Sequence, residues 1–213
     1  MIFDLDGTLL DTEAKHWETM AAASHALGWP LPQAVFLRMV GVHREENRRM
    51  LRAEFGEEFP MDEFYADSEA LFEAAVEAGI PLRPGAMAIL DHLDVAGIPA
   101  AVATSTLSPV AEERLERAGM LHRFRTVVTR SDVVHAKPDP EAYLLAARRL
   151  GVDPARCIAV EDSPIGARAA LTAGMATVMI PDLLPATDEL VKLCAAVLPG
   201  LSDLQDLLAE LPA

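Results

Sequence analysis

The stretch Ile2-Phe3-Asp4-Leu5-Asp6-Gly7-Thr8 decides the fold of this 213-residue chain, because an apolar run passes directly into two carboxylates. The run Ile2 to Leu5 predicts a short buried strand, and acids that follow a strand lie where open α/β sheets bind ligands. Two carboxylates two residues apart can face the same way. Burying two like charges together is unfavourable unless a cation or a shared proton lies between them. Such oxygen ligands suit Mg²⁺, and Gly7 allows a sharp turn. An Asx turn with a helix cap is the structural alternative.

From about residue 98 onward, short apolar runs alternate with amphipathic segments. Five runs predict buried strands, namely Pro99–Ala103, Thr126–Thr129, Cys157–Val160, Ala176–Ile180 and Ala195–Leu198. Four segments with apolar residues at helical spacing, each closed by a glycine, predict helices, namely Asp91–Ala96, Val110–Ala118, Glu141–Leu150 and Pro164–Ala173. This order predicts an α/β fold, with a Rossmann-like parallel sheet and helices on both of its faces.

Residues 12–84 have a different pattern, which is helical almost throughout and contains no strand-like run. Its breaks fall at Gly and Pro residues, and they divide the segment into about four helices. We therefore expect an inserted helical cap domain over residues 12–84. The α/β core domain would comprise residues 1–11 and 85–213.

The charge balance excludes some classes of function. The chain has 18 Lys and Arg against 33 Asp and Glu, a net charge of −15, which disfavours binding to nucleic acid or to anionic membranes. Cys157 and Cys194 are too few for a disulfide framework or a zinc site. No apolar run approaches the roughly 20 residues of a membrane span, and the acidic N-terminal stretch is no signal peptide. We therefore expect a cytoplasmic protein, and a monomer.

Polar residues also follow other predicted strands. Thr104 and Ser105 come after Pro99–Ala103, where hydroxyls and backbone N–H groups ahead of a helix can hold a phosphate or simply cap the helix. Lys137 is one of three lysines and lies in a proline-rich loop before a helix. A solvated surface charge is the alternative for it.

Glu161 and Asp162 follow the run Cys157–Val160, and capping of the next helix, with Pro164 at its first position, is their alternative. Carboxylates, hydroxyls and a lysine thus gather at one rim of a parallel sheet. Phosphoryl transfer needs such a set, because it uses a nucleophile, a divalent cation and fixed donors around the phosphoryl oxygens. The residues therefore predict a phosphoryl-transfer site for an anionic small substrate.

These motifs, in this order, resemble those of the haloacid dehalogenase-like superfamily across essentially the whole chain. The matching stretches are Asp4-Leu5-Asp6-Gly7-Thr8-Leu9-Leu10-Asp11-Thr12-Glu13, Thr104, Lys137-Pro138-Asp139-Pro140 and Glu161-Asp162-Ser163 with Gly166. The resemblance is strongest for the phosphatases and β-phosphoglucomutases that carry a helical cap after the first motif. It implies a Mg²⁺-dependent phosphatase that acts on a small phosphorylated metabolite, with a sugar or polyol phosphate as the expected substrate.

The resemblance implies a role for each residue that touches the phosphate. Asp4 would be the nucleophile and would form an aspartyl-phosphate. Asp6 would act first as the general acid for the leaving oxygen and then as the base for water. Thr104 and Lys137 would hold the transferring phosphoryl oxygens. An aspartate at the position of Asp6 separates the phosphotransferases of this superfamily from its dehalogenases, and therefore favours phosphate substrates.

The resemblance also implies a metal site. Mg²⁺ would be bound by Asp4, by the backbone carbonyl of Asp6 and by Asp162. Glu161 would support these ligands from behind rather than bind the ion directly.

Four further residues are candidates for substrate binding. Gly41 and Arg44 lie in a segment that resembles the specificity loop of the subgroup, where Arg44 would bind a second anionic group and Gly41 would allow close approach. An ion-paired helix residue is the alternative for Arg44. His16 follows the first motif, where related enzymes often have histidine, and an ordinary helix residue is its alternative. Ser105 completes the set.

Two departures from the family pattern matter. Only Met1-Ile2-Phe3 precede Asp4, so we expect a clipped first strand or a start further upstream. The mutases carry a lysine in the later cap helices, whereas the predicted cap has none after Lys15, which favours a hydrolase. A β-phosphoglucomutase-type sugar phosphomutase stays the alternative. A catalytically weak sugar-phosphate-binding regulator is a third.

Overall fold

The structure, a computed structural model, describes residues 1–40, 42 and 44–209. The chain divides into two compact units. One comprises Met1–Asp11 and Pro81–Ala213, and the other is the inserted segment Thr12–Ile80. The first is an α/β unit, and the second is helical.

The return from the helical unit to the α/β unit falls at Ile80, four residues before the predicted end of the cap at residue 84. The reason is backbone pairing that the sequence pattern does not reveal. Leu82 forms an antiparallel bridge with Leu10, and the N–H of Arg83 donates to the carbonyl of Leu9 at 2.9 Å. These bonds attach the segment that follows Ile80 to the α/β unit.

The α/β unit is built on one parallel sheet of six strands in the order β3-β2-β1-β4-β5-β6. The strands are β1 (Ile2–Phe3), β2 (Ala101–Ala103), β3 (Thr126–Val128), β4 (Ile158–Glu161), β5 (Ala176–Met179) and β6 (Ala196–Val197). In the register, Ile2 lies opposite Ala101 on one side and Ala159 on the other. β1 is therefore central, as the Rossmann-like prediction requires.

Ten α-helices lie within the described residues. They are α1 (Thr12–Ala26), α2 (Gln33–Met39), α3 (Arg44–Phe55), α4 (Met61–Ala78), α5 (Ala86–Val95), α6 (Val110–Arg117), α7 (Glu141–Leu150), α8 (Pro164–Thr172), α9 (Asp188–Leu193) and α10 (Leu201–Ala209). Local sequence explains several of their ends. For example, Ser163 caps α8 by accepting from the N–H of Gly166 at 3.1 Å, and α7 ends on Gly151 in the left-handed conformation.

Both faces of the sheet are covered. On one face, α7 and α8 pack against the strands in a core of small and medium side chains, which includes Ile2, Ala101, Ala103, Val128, Tyr143, Ala146, Ala147, Ala159, Ala169 and Ala170. On the other, Phe3 points away from Ile2 because strand residues alternate, and its ring meets Phe124 edge-on. The apolar character of the strands follows from this double burial.

The helical unit consists of α1 to α4. Its aromatic core joins Trp29, Phe55, Phe59 and Phe64, whose neighbouring ring centroids lie 4.7 to 6.0 Å apart. Phe59 and Phe64 are buried and Trp29 and Phe55 are half-buried, so the cluster removes a large apolar area from water and stabilises this small unit. None of the described helices, in either unit, has the length and apolar character to cross a membrane.

Candidate active site

The parallel sheet brings distant polar residues to one edge. Asp4 follows β1, Thr104 follows β2, and Glu161 ends β4. The ladder continues past the strand ends, because the N–H of Asp4 donates to the carbonyl of Val160 and the N–H of Thr104 to that of Val128, both at 2.9 Å. Parallel strands end at the same edge of a sheet, so these residues share one rim.

Lys137 connects two of these carboxylates. Its ammonium lies 2.6 Å from Oδ1 of Asp4 and 2.6 Å from Oε1 of Glu161, and only 6% of its side chain is exposed. Burial acts to lower the pKa of Lys137, but the charges of Asp4 and Glu161 outweigh it and raise that pKa above its usual value. The lysine is therefore a permanent positive charge inside the acidic cluster.

Glu161 is fully buried, and both of its oxygens have donors. Besides Lys137, Oε1 accepts from the hydroxyl of Tyr143 at 2.7 Å, while Oε2 accepts from the N–H and the hydroxyl of Ser163 at 3.3 and 3.0 Å. A Cβ on Gly166 would overlap this carboxylate, so only glycine fits there. With its oxygens occupied, Glu161 is suited to hold Lys137 in place.

The electrostatics of Asp4 reflect its burial. Removal from water raises the pKa of Asp4, and although Lys137 lowers it, the nearby Glu161 and Asp6 also raise it, so the pKa stays above its usual value. Lys137 therefore offsets the burial of Asp4 only in part. An additional positive charge beside Asp4 would favour the carboxylate form.

The acidic cluster fits a hard divalent cation. Carboxylate oxygens of Asp4, Glu161 and Asp162 lie within 4.8 Å of one another. Asp162 is held against the backbone of Gly7, whose φ is 82° and where a Cβ would overlap the carboxylate, and it accepts from the Thr8 hydroxyl at 3.3 Å. Oxygen donors in this arrangement suit Mg²⁺.

Asp6 is held by two residues from the segment after β2. Its Oδ2 accepts from the hydroxyl of Thr106 at 2.6 Å, and its Oδ1 lies 2.7 Å from Nη1 of Arg114 on α6. The side chains of Asp6 and Arg114 are 21% and 11% exposed. Both carboxylate oxygens of Asp6 are therefore engaged at the same rim.

The structure gives Thr104 and Ser105 different environments. Thr104 is buried, and its hydroxyl accepts from the N–H of Thr106 at 3.0 Å, which shapes the loop before α6. It does not cap α6, whose N-cap residue is Pro109. Ser105 is exposed.

The candidate substrate-binding residues of the helical unit have partners within that unit. His16 stacks on Phe72, with ring centroids 3.8 Å apart. Arg44 forms an ion pair with Glu69 and lies over the Tyr65 ring, 4.2 Å from its centroid. Arg44 is therefore an ion-paired helix residue, and this ion pair joins α3 to α4. Gly41 lies outside the described residues.

A second group of metal-binding side chain types, His135, Asp139 and Glu141, lies at the start of α7. Here Asp139 accepts from the N–H of Glu141 at 3.0 Å, and Glu141 accepts from the N–H groups of Val134 and His135 at 3.1 and 2.8 Å. These bonds hold the preceding loop against the first turn of α7, which accounts for the group without a metal ion.

Sequence reasoning missed Tyr143, Thr106 and Arg114 as contributors to this site. The sequence does indicate that Arg114 is partly buried, because it lies three residues after Ala111 and next to Leu115 on the buried side of α6. Tyr143 had a weaker signal, as a fully buried hydroxyl on a helix that otherwise presents alanines to the sheet. No local pattern connects either residue with a carboxylate far away in the chain.

Comparison with known proteins agrees with this geometry. The family model for haloacid dehalogenase-like hydrolases matches residues 1–174. Hexitol phosphatase A of Escherichia coli is 38% identical over 182 residues, covering 81% of this chain and 78% of that protein. Phosphorylated carbohydrates phosphatase of Thermotoga maritima is 31% identical over 179 residues, covering 82% and 81%. A haloacid dehalogenase family hydrolase from Deinococcus radiodurans, crystallised with bound phosphate and sodium, has a TM-score of 0.87 at 28% identity, covering 98% and 94%.

Proposed function

Because the chain belongs to the haloacid dehalogenase-like hydrolases, we propose that it is a Mg²⁺-dependent phosphatase of a small phosphorylated metabolite, a sugar or polyol phosphate. One observation carries the proposal. Lys137 joins Asp4 to Glu161 at 2.6 Å each, at the sheet edge that also holds Asp162. The names of two relatives, a hexitol phosphatase and a phosphorylated carbohydrates phosphatase, support the substrate class.

In the first half of the reaction, a carboxylate oxygen of Asp4 attacks phosphorus and forms an aspartyl-phosphate, while the bond from phosphorus to the leaving oxygen breaks. Asp6 donates its proton to that oxygen, so the alcohol leaves neutral. Lys137 offsets the negative charge that Asp4 and the phosphoryl group share, and Thr104 presents the loop that faces the phosphoryl oxygens.

In the second half, Asp6 accepts a proton from water as the water attacks the aspartyl-phosphate. The bond between Asp4 and phosphorus breaks, and inorganic phosphate leaves. Mg²⁺, held by Asp4, Asp162 and the backbone carbonyl of Asp6, would supply positive charge that keeps Asp4 ionised and neutralises phosphate oxygens. Glu161 keeps Lys137 in place throughout.

Substrate selection is assigned, as part of the proposal, to His16, Gly41, Arg44 and Ser105. The ion pair with Glu69 leaves Arg44 half-exposed, so its guanidinium can exchange that carboxylate for an anionic substrate group. The protein would act as a cytoplasmic monomer. Size-exclusion chromatography with light scattering would test the oligomeric state.

The test is release of inorganic phosphate from a panel of sugar, polyol and glycolate phosphates with Mg²⁺, repeated with a chelator. We expect release that the chelator abolishes and that Asp4→Asn lacks. The same reactions, run with a sugar bisphosphate primer, are also analysed for isomerised sugar phosphate. Isomer without free phosphate would contradict the hydrolase and favour a mutase, and tight binding without any turnover would favour a regulator.

A further inference from the structure

The environment of Asp6 contains a residue that none of the motifs includes. Arg114 lies 108 residues further along the chain and directs Nη1 at Oδ1 of Asp6, at 2.7 Å. The Thr106 hydroxyl faces the other oxygen, Oδ2, at 2.6 Å. The two contacts fix both ends of the carboxylate and therefore its rotation about the side-chain bond.

We propose that Arg114 is a positioning residue for Asp6, an inference that rests on the proposed function because it assumes that Asp6 transfers protons. The chemistry of the two partners differs. Arginine has only donors and cannot accept a hydrogen bond, whereas a threonine hydroxyl can donate or accept. A proton on Asp6 is therefore favoured on the oxygen that faces Thr106, because a protonated oxygen is a poorer acceptor for the guanidinium of Arg114.

This asymmetry assigns the transferred proton to one oxygen. When Asp6 is the acid, Oδ2 carries the proton and passes it to the leaving oxygen as the bond from phosphorus to that oxygen breaks. When Asp6 is the base, the same oxygen takes the proton of water as the new bond to phosphorus forms. Arg114 stays bonded to Oδ1 in both steps, so the carboxylate need not be reoriented between them.

The position of Arg114 in the fold makes it suitable for this role. It lies on α6 between Ala111 and Leu115, both fully buried, so the packing of the helix determines where the guanidinium points. The Arg114 side chain is only 11% exposed, which limits competition by water for the ion pair. An exposed arginine of the same helix, Arg117, provides a matched control.

The test compares Arg114→Gln, Arg114→Lys and Arg117→Gln on two substrates. One is the best sugar or polyol phosphate of the panel, whose alkoxide leaving group needs a proton. The other is p-nitrophenyl phosphate, whose phenolate leaves without one. The quantity measured is kcat/KM, because for an aspartyl-phosphate mechanism it covers only the steps up to departure of the alcohol.

We expect Arg114→Gln to lower kcat/KM for the alkyl phosphate by about 10- to 100-fold and for p-nitrophenyl phosphate by less than about 3-fold. Arg114→Lys, which keeps a positive donor, should recover part of the loss, and Arg117→Gln should behave like wild type. In the background of Asp6→Asn, the Arg114→Gln substitution should cost nothing further, because it acts through Asp6.

Three results would overturn the inference. The first is an equal loss of kcat/KM on both substrates, which a general structural defect would produce. The second is an additive loss of kcat/KM in the double variant. The third is a higher kcat/KM in Arg114→Gln, which would mean that the ion pair limits the activity of Asp6. Circular dichroism of each variant checks the fold. A wild-type chain that releases phosphate from neither substrate would overturn the proposed function first, and this inference with it.

Discussion

At the scale of single residues, the site depends on buried charges of opposite sign that offset one another. Lys137 lies between Asp4 and Glu161, and Arg114 lies beside Asp6. Breaking such a pair by removing one partner leaves the other charge buried and uncompensated, which is costly. Substitutions that keep shape and hydrogen bonding are therefore the informative ones.

Asp4→Asn keeps the size of the side chain and removes the carboxylate that we propose as the nucleophile. We expect turnover to fall by at least about a thousandfold, because a carboxamide cannot form the aspartyl-phosphate. The fold should persist, since Lys137 retains Glu161 as its partner. Phosphate release measures the activity, and far-UV circular dichroism measures the fold. Substantial activity in a folded variant would exclude Asp4 as the nucleophile.

Gly7→Ala should impair the site through Asp162. An added Cβ would overlap the Asp162 carboxylate, so that carboxylate must move away from Asp4. We expect the Mg²⁺ concentration for half-maximal activity to rise by about 10-fold or more, the size of effect seen when partners of metal ligands are removed. A titration of activity against Mg²⁺ measures this.

Gly119→Ala separates the effect of overlap from that of backbone strain. Gly119 also has a positive φ, 68°, but nothing lies within 4 Å of its Cβ position. Both substitutions should therefore lower the free energy of unfolding by about 1–2 kcal/mol, while only Gly7→Ala changes the Mg²⁺ requirement. An equal change in that requirement for the two variants would contradict the role given to Gly7.

At the scale of secondary structure elements, a short 3-10 turn (Arg130–Asp132) connects β3 to the segment that leads to Lys137. Asp132 accepts from the N–H and the hydroxyl of Thr129, both at 2.8 Å, and from Arg149 on α7 at 2.6 Å. This capping box joins the end of a strand to a helix on the face of the sheet. It therefore supports the loop on which Lys137 depends.

Asp132→Asn should be destabilising in a pH-dependent way. Burial acts to raise the pKa of Asp132, but its bonds from Thr129 and Arg149 outweigh it and lower that pKa. Because the folded-state pKa is below the unfolded one, the carboxylate stabilises the protein above about pH 4, and this contribution is lost as pH falls through the lowered pKa. We expect Asp132→Asn to cost about 1 kcal/mol at pH 7.

Urea denaturation between pH 3 and pH 7 measures the difference from wild type. It should be constant above about pH 5 and shrink below about pH 4. The exposed acid Glu116 on α6 provides the comparison, because Glu116→Gln should change stability little at any pH. A deficit of Asp132→Asn that stayed unchanged at pH 3 would show that lost packing, and not lost charge, is responsible.

At the scale of the whole molecule, we expect the acidic cluster to couple metal binding to stability. Asp4, Glu161 and Asp162 lie close together in the folded state, where Lys137 contacts two of them, and they are separated in the unfolded chain. A cation that binds only the folded state therefore stabilises it. At 100 times its dissociation constant, Mg²⁺ should add about 2.7 kcal/mol to the free energy of unfolding. This predicts a rise in Tm of about 5–10 °C.

Differential scanning fluorimetry with and without Mg²⁺ checks this prediction. Asp162→Asn should remove most of the shift, whereas Asp203→Asn, which changes an exposed acid on α10, should leave it intact. A shift of equal size in both variants would mean that Mg²⁺ acts on the overall negative charge of the chain and not at the cluster.

Much of the fold could be predicted from sequence. The apolar runs predict the positions of β2 to β6 to within one or two residues, and helix α7 lies at the predicted residues, 141–150. The α/β fold and the family are confirmed. The first strand is shorter than predicted, because the carbonyl of Leu5 accepts from Leu9 and Leu10 and the chain turns away after Asp4.

The helices α9, α10 and the first half of α5 were not predicted. α9 has only six residues, too few to display a helical period. α10 and α5 pack against each other, so their stability comes from a partner distant in the chain.

The sequence by itself determined the fold class and predicted the chemistry of the site, because hydrophobic period, glycine stops and the residues at strand ends are local properties. Asp4, Lys137, Glu161 and Asp162 stand out in this way. Only the tertiary structure decided which side chains meet. Tyr143, Thr106 and Arg114 act on carboxylates 18, 100 and 108 residues away, and a hydrogen bond depends on distance in space, which the order of residues does not contain.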